Sequence, residues 1–433
     1  MDSTTVSIAI AILLISFIVF LVLKVPVTFA LGVSSVLTAI YCKIPIMTIV
    51  LKMTKGIESS SLLAIPFFIL AGEIMGAGGI SRRLIEFSNV IVGRMRGGLA
   101  QVNVLASMFF GGISGSAVAD TSSIGAMLIP MMKDKGYDDD YAVAVTVTSS
   151  CQGVIIPPSH NMIIYSLAAG GISVGKLFLG GLVPGVILGI ALMIVSYIIA
   201  VKRGYPKGEK ISFRDGIKIC SGAFLGLLTA VIIIGGVLSG VFTATESAAA
   251  ACLYAFIITF FVYREIPLRS MNKILYNSLK TLALVLSLIA AAKAFGHMLA
   301  LLQVPALATK VLLTITDNKI ILLLLINLLV LLLGCIMDMA PLILILTPIL
   351  LPVVTSLGMD PIQFGVVLIL NLAIGLCTPP VGGALFVGCA IGEVSLEKVT
   401  KALLPFYLVM IVTLLLITFI PEIIMFVPNW IMG

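Results

Sequence analysis

Residues 111–125 read Gly111-Gly-Ile-Ser-Gly-Ser-Ala-Val-Ala-Asp-Thr-Ser-Ser-Ile-Gly125. The run is too polar and too rich in glycine to face lipid as an intact helix, yet it is embedded in sequence too apolar to be soluble. Irregular backbone at membrane depth survives only against protein or a water-filled cavity. The stretch therefore predicts a hairpin whose tip sits near the midplane and exposes the Ser114 and Ser116 oxygens and unpaired carbonyls, hard ligands suited to a small hard cation. Glycine and serine also allow close helix packing, but a run of this length with Asp120 embedded in it exceeds what packing needs.

Working outward, motifs recur at a constant offset of 222 residues. Gly136-Tyr-Asp138 returns as Gly358-Met-Asp360, Pro157-Pro158 as Pro379-Pro380, and Ser173-x-x-Lys176 as Ser395-x-x-Lys398. Upstream the register slips by four, Asp120 preceding Pro130 by ten residues as Asp338 precedes Pro348. Repeated helix-breaking segments in corresponding halves of a membrane protein point to a transport site. Residues 82–135 hold Arg82, Arg83, Arg94, Arg96, Lys133 and Lys135, whereas residues 304–360 hold only Lys310 and Lys319. With basic flanks facing the cytoplasm, the two units enter from opposite sides, which makes the repeat inverted.

Composition agrees with a membrane protein. Hydrophobic residues make up 60% of the 433, charged residues 10%, and mean hydropathy is +1.24, against roughly 25% charged in a soluble domain. At about 20 apolar residues per span, the runs predict about 10 to 13 spans plus shorter re-entrant pieces. Continuous apolar runs such as Val6 to Leu23 and Ile320 to Leu333 exclude a β-barrel, whose strands alternate. The fold class is thus an all-α polytopic membrane protein with inverted structural repeats, each holding a re-entrant helical hairpin and a broken helix.

The net charge of +7 reflects basic loops rather than a nucleic-acid partner, since no basic stretch is interleaved with exposed aromatics. Lys202, Arg203, Lys207, Lys210, Arg214 and Lys218, against Glu209 and Asp215, mark a cytoplasmic linker. The seven cysteines show neither a disulfide framework nor metal-ligand spacing. The N-terminal run, preceded by Asp2 and ending at Lys24 without a cleavage site, reads as a retained first helix. Arg82 to Arg96 reads as an amphipathic interfacial helix, and Trp430 as a headgroup anchor. Four regions are expected: N-terminal scaffold helices and an interfacial arm (1–97), a first repeat with hairpin and broken helix (98–200), the linker and further scaffold helices (201–280), and a second repeat with hairpin, broken helix and C-terminal helices (281–433).

Both double prolines sit inside otherwise helical sequence, in Cys151-Gln-Gly-Val-Ile-Ile-Pro-Pro158 and Leu376-Cys-Thr-Pro-Pro-Val-Gly-Gly383. Proline removes a donor and disfavours helix before it, freeing carbonyls to coordinate an ion. Two such breaks beside two polar segments predict a pair of ion sites. Asp120 and Asp338 are carboxylates in apolar sequence, where charge costs at least ~2.5 kcal/mol unless compensated. A bound cation compensates it; for Asp120 a helix-capping role is the equal alternative. Lys293 and His297 share a helix face, where a buried cation meets a substrate carboxylate, while for Lys293 snorkelling or interhelical pairing is the alternative. Glu246 reads as helix-start chemistry. Asp138 to Asp140 read as a solvated loop and helix start, while Glu58, Glu73 and His160 carry no assignment. A paired-aspartate intramembrane protease is the enzyme alternative, but no Gly-x-Gly-Asp element is present.

The Gly-Ile-Ser-Gly-Ser-Ala-x-Ala-Asp segment, Ile-Pro-Pro-Ser, Gly-x-Phe-Thr-Ala-Thr-Glu-Ser, the Asp338 to Pro352 stretch and Thr378-Pro-Pro-x-Gly together resemble the large membrane subunit of tripartite ATP-independent periplasmic (TRAP) transporters, over essentially the whole chain. The resemblance implies an elevator-type, sodium-coupled importer in the bacterial inner membrane, not an enzyme and without a cofactor beyond sodium as coupling ion. Its implied partners are a separate small four-helix membrane subunit and a periplasmic substrate-binding protein. It implies one sodium site at Ser114, Ser116, Gly153, Ile156 and Pro158, and a second at Gly334, Asp338, Thr378, Pro379 and Gly382. The substrate, a small organic anion of the C4-dicarboxylate or sialic acid type, is expected between them, with Ser116, Asp120, Pro158, Lys293 and Pro380 as candidates. No nucleotide-binding loop of Gly-x-x-x-x-Gly-Lys-Ser/Thr type is present. The alternative within transport is an autonomous sodium/dicarboxylate symporter.

Overall fold

Proline and glycine punctuation sets the helix boundaries in the computed structural model, which describes residues 3–208, 211–316 and 318–432. Asp2, Glu209 and Lys210, named above, lie outside the described residues. Helices α1 (Ser3–Val22), α2 (Val27–Tyr41) and α3 (Ile46–Ile57) restart after Pro26 and Pro45, each in the N-cap position, where a residue without an N–H loses nothing. Helix α4 (Ala64–Ala77) then bends by 71° into α5 (Ile80–Val92). The turn runs through Gly79 at φ 69°, a conformation glycine adopts without strain. Helix α5 buries Ile80, Leu84, Ile85, Ser88 and Val92 along one face, and it ends before Arg94 and Arg96.

Helices α6 (Gly98–Ser114) and α7 (Ala117–Asp134) form the first hairpin, α8 (Asp139–Gly153) and α9 (His160–Ala168) are halves of a broken helix, and α10 (Val174–Lys202) follows. Next come α11 (Phe213–Leu238), α12 (Ala244–Ile257), α13 (Met271–Leu301) and α14 (Val304–Ile315). Helices α15 (Lys319–Gly334) and α16 (Met339–Ser356) make the second hairpin, α17 (Pro361–Leu376) and α18 (Gly383–Gly392) the second broken helix, and α19 (Leu396–Phe419) and α20 (Glu422–Met432) end the chain. No strand occurs among the described residues beyond a single bridge of Arg96 to Lys207. Among the described residues, seven helices are long and apolar enough to cross a membrane, or eight if α4 and α5 are one bent span. Other apolar runs contributing to the ten to thirteen expected are half-length helices, cut by the glycine and proline breaks.

The second helix of each hairpin, and the start of the helix after it, keep the 222-residue spacing. Helices α7 and α16 begin at Ala117 and Met339 and end at Asp134 and Ser356, and α8 and α17 begin at Asp139 and Pro361, every pair 222 apart. The four-residue slip expected upstream is thereby corrected. Pro130 pairs with Pro352, Ser116 with Asp338, and Asp120 with Leu342. Pro348 and Pro352 stand one turn apart in α16, and pattern alone had matched the wrong one.

Two groups of helices result. In the first, α13 lies against α2, α3 and α4, α12 against α4, and α11 against α12 and α5. In the second, α8 and α17 run through the centre, buried from Tyr141 to Gly153 and from Ile362 to Leu376. The hairpins and broken helices interleave around them, α18 on α7 and α9 on α16. The connections between groups are tied together: Gly97 N–H donates to the Pro206 carbonyl at 3.0 Å, the Arg96 Nε donates to the Tyr205 carbonyl at 3.3 Å, and Arg203 pairs with Asp138 at 2.7 Å.

Candidate functional site

The first hairpin tip is built by glycine and serine. Gly115, at φ 62°, ends α6, and Ser116 caps α7 by accepting the Ala119 N–H at 3.3 Å. The Ser114 hydroxyl accepts the Ser116 N–H at 3.4 Å. The break in the following helix, residues 154–159, lies directly against this tip. A Cβ on Gly112 would fall 2.9 Å from the Pro157 carbonyl oxygen, and one on Gly111 would fall 2.1 Å from the Gly153 Cα. Asn161 donates its side-chain amide to the Gly115 carbonyl at 3.2 Å. Ser114, Ser116, Gly153, Ile156 and Pro158 are therefore gathered around one place where two chain breaks meet.

The second tip repeats the arrangement with a carboxylate. Asp338 is the N-cap residue of α16, exposed, and its side chain makes no capping hydrogen bond. The break at 377–382 reaches the tip through the Val381 N–H, which donates to the Cys335 carbonyl at 3.0 Å. Gly375 and Gly334 touch: a Cβ on Gly375 would lie 2.4 Å from the Gly334 carbonyl carbon. The Thr378 hydroxyl donates to the Ile374 carbonyl at 2.7 Å, and Tyr407 donates to the Cys377 carbonyl at 2.5 Å. The second break brings Thr378, Pro379 and Gly382 beside Gly334, with Asp338 at the tip. Both Pro-Pro bonds are cis.

The remaining candidates separate. Asp120 lies one turn into α7 and is fully buried, with neither carboxylate oxygen hydrogen-bonded. Ser116 holds the cap, so the capping alternative for Asp120 is not met. Pro380 is exposed beside the second tip. Lys293 belongs to α13, in the other group of helices, where its Nζ donates to the Leu167 carbonyl near the end of α9 at 3.0 Å. That contact joins α13 to the end of α9. Glu246 completes a capping box with Thr243, accepting its N–H at 2.8 Å.

His160 was not assigned from sequence. It starts α9, and its Nδ1 would lie 2.8 Å from a Cβ on Gly115, so its ring packs against the first tip. The available signal was position, a titratable ring immediately after the Pro-Pro-Ser break. Asn161 was missed for the same reason, since a single asparagine beside a break is indistinguishable from an ordinary helix start.

Residues 14–423 match the family model of the tripartite ATP-independent periplasmic transporter, DctM component. The chain is 41% identical to the sialic acid TRAP transporter large permease protein SiaM of Vibrio cholerae, over 88% of this chain and 89% of that one. It is 39% identical to the C4-dicarboxylate TRAP transporter large permease protein DctM of Pseudomonas aeruginosa, over 93% and 94%. Among solved structures it is similar in fold to the YdaH transporter of Alcanivorax borkumensis, with a TM-score of 0.64, 16% identity, and 98% and 99% of the two chains covered.

Proposed function

The chain belongs to the DctM component family of tripartite ATP-independent periplasmic transporters, and from that premise we propose that it is the large permease subunit of a sodium-coupled organic-acid importer. It is a multi-pass protein of the bacterial inner membrane, in keeping with its family and its seven long apolar helices. The observation that carries the coupling reading is the duplicated junction of hairpin tip and helix break, held at the second site by the Val381 to Cys335 hydrogen bond. Breaks at both places present oxygen ligands, and Asp338 adds a negative charge that is costly at membrane depth without a cation. Relatives named for sialic acid and C4-dicarboxylates favour a carboxylate substrate of that size, bound between the tips.

Sodium binding orders the tips and neutralises Asp338, leaving a pocket in which an anionic substrate binds favourably. The interleaved hairpin group then moves against the α1–α5 and α11–α13 group in an elevator step, carrying ions and substrate together. The basic loops of residues 82–135 against the weakly basic 304–360 support opposed entry of the two repeats. A small four-helix membrane subunit and a periplasmic substrate-binding protein complete the assembly, and Lys293 serves the interface between the two helix groups.

Thermal stability of the purified protein in sodium, potassium and choline chlorides at equal ionic strength tests the coupling. A ligand bound only by the folded state raises stability by mass action. Sodium-selective stabilisation, weakened in Asp338→Ala, is expected; equal stability in all three salts would overturn the sodium reading.

A further inference from the structure

We propose that Asp120, with the hydroxyl oxygens of Ser107 and Ser150, forms an interior site for a small hard monovalent cation, separate from the two hairpin tips. Asp120 is fully buried, and neither of its carboxylate oxygens has a hydrogen-bond partner. The hydroxyls beside it are those of Ser107 and Ser150, and each also has a second polar contact. Ser107 donates to the Ser149 hydroxyl at 3.3 Å, and Ser149 in turn to the Asn103 side-chain oxygen at 3.0 Å. Ser150 donates to the Thr146 carbonyl at 2.8 Å. Each serine oxygen also carries lone pairs that an ion held between it and the carboxylate can use. Thr121, the next residue, adds a buried hydroxyl that is also without a partner.

A buried carboxylate ringed by hydroxyl oxygens is a ready-made set of hard ligands for a positive charge set within it. Leaving a buried charge unpaired costs several kcal/mol, and hard oxygens with one formal charge suit a singly charged hard cation. The second repeat shows that the fold does not require this cluster. At the equivalent positions, 222 residues on, Leu342 replaces Asp120 and Leu372 replaces Ser150, both buried. The glycine contact beside it is kept, Gly111 to Gly153 in one repeat and Gly334 to Gly375 in the other. A leucine thus stands at the equivalent place in the second hairpin, and the first hairpin has a carboxylate there instead.

The place is distinct from the first tip. Asp120 lies four residues beyond the cap residue Ser116, about 6 Å along the helix at 1.5 Å per residue, and it faces inward to α6 and α8. Of the expected tip site, Gly153 would bring an added Cβ 3.5 Å from the Asp120 Oδ2, and Ser116 meets Asp120 through its carbonyl, which accepts the Asp120 N–H at 2.9 Å. The inference rests on the cation-coupled reading in taking the same ion as ligand, but its side chains are not those of either tip.

Counting radioactive sodium bound per protein at saturation, in the purified full chain, tests it. Asp120→Asn is expected to bind one ion fewer than the parent, Asp338→Ala to lose a different ion, and the double variant to lose both. Ser150→Ala, which removes one ligand oxygen and keeps the carboxylate, is expected to weaken one ion at least about fivefold, and it decides the matter if Asp120→Asn fails to fold. An unchanged count in Asp120→Asn, or unchanged affinities in Ser150→Ala, would overturn the interior site while leaving the hairpin tips standing, and would mean that Asp120 is carried as the neutral acid. A parent protein that binds no sodium would overturn this site and the coupling reading together.

Discussion

Ser116 and Asp338 occupy the same position in the two repeats, each the N-cap residue of the second helix of its hairpin and 222 residues apart. Ser116 spends its side-chain oxygen on the Ala119 N–H, whereas Asp338 makes no capping bond. One tip therefore offers a neutral oxygen already engaged and the other a free negative charge.

Asp338→Asn should on that basis weaken sodium binding by about tenfold or more, ~1.4 kcal/mol, while Ser116→Ala should cost only about threefold, because an ion–ion attraction is replaced in one case and an ion–dipole contact in the other. Sodium titration of the thermal midpoint of each variant measures this. Equal losses would mean that the charge is not at the ion.

Gly153→Ala and Gly375→Ala place a methyl group against backbone, 2.7 Å from the Gly111 Cα and 2.4 Å from the Gly334 carbonyl carbon respectively. Overpacking of this kind costs about 1–3 kcal/mol, and both variants should unfold at lower temperature than the parent. Gly296→Ala in α13, whose new methyl meets nothing within 4 Å, should be neutral or slightly stabilising, since alanine is the better helix former.

Asp134 and Ser356 are equivalent exposed residues at the ends of α7 and α16. In a cysteine-free background, Asp134→Cys and Ser356→Cys should react with a membrane-impermeant maleimide from opposite sides of the membrane, the Asp134 position from the cytoplasm. Labelling of both from one side would contradict the inverted arrangement.

Asp138, in the loop before α8, accepts hydrogen bonds at 2.7 Å from the Tyr205 hydroxyl and from Arg203. The Tyr205 bond foremost, and then the Arg203 guanidinium, hold its carboxyl below the usual carboxylate value. Its stabilising contribution is thus complete above the unfolded value of about 3.9 and is lost as pH falls through the lower folded value. The site is exposed, so the effect is small. Between about pH 4.5 and 3, around that reference value, the parent should lose stability more steeply than Asp138→Asn; parallel curves would show that the pair carries no linkage.

The helix breaks were legible because membrane depth forbids unpaired backbone, so Gly111 to Gly125 and the two Pro-Pro pairs had few other readings. The register upstream of Gly136 was not, because Pro348 and Pro352 offered two matches one turn apart and only the helix ends choose between them. His160 and Asn161 were silent in sequence since their role depends on the fold laying the start of α9 against the first tip. The isolation of Asp120 was equally hidden: sequence shows an acid in apolar surroundings, but not that both of its oxygens lack partners.

Uptake into proteoliposomes containing this chain with its small membrane subunit and binding protein, using labelled sialic acid and C4-dicarboxylates under imposed ion gradients, tests the coupling most directly. Cation sites at both tips predict accumulation only with an inward sodium gradient, abolished in Asp338→Ala. Accumulation of equal extent under a potassium or proton gradient without sodium would contradict sodium coupling at the hairpin tips.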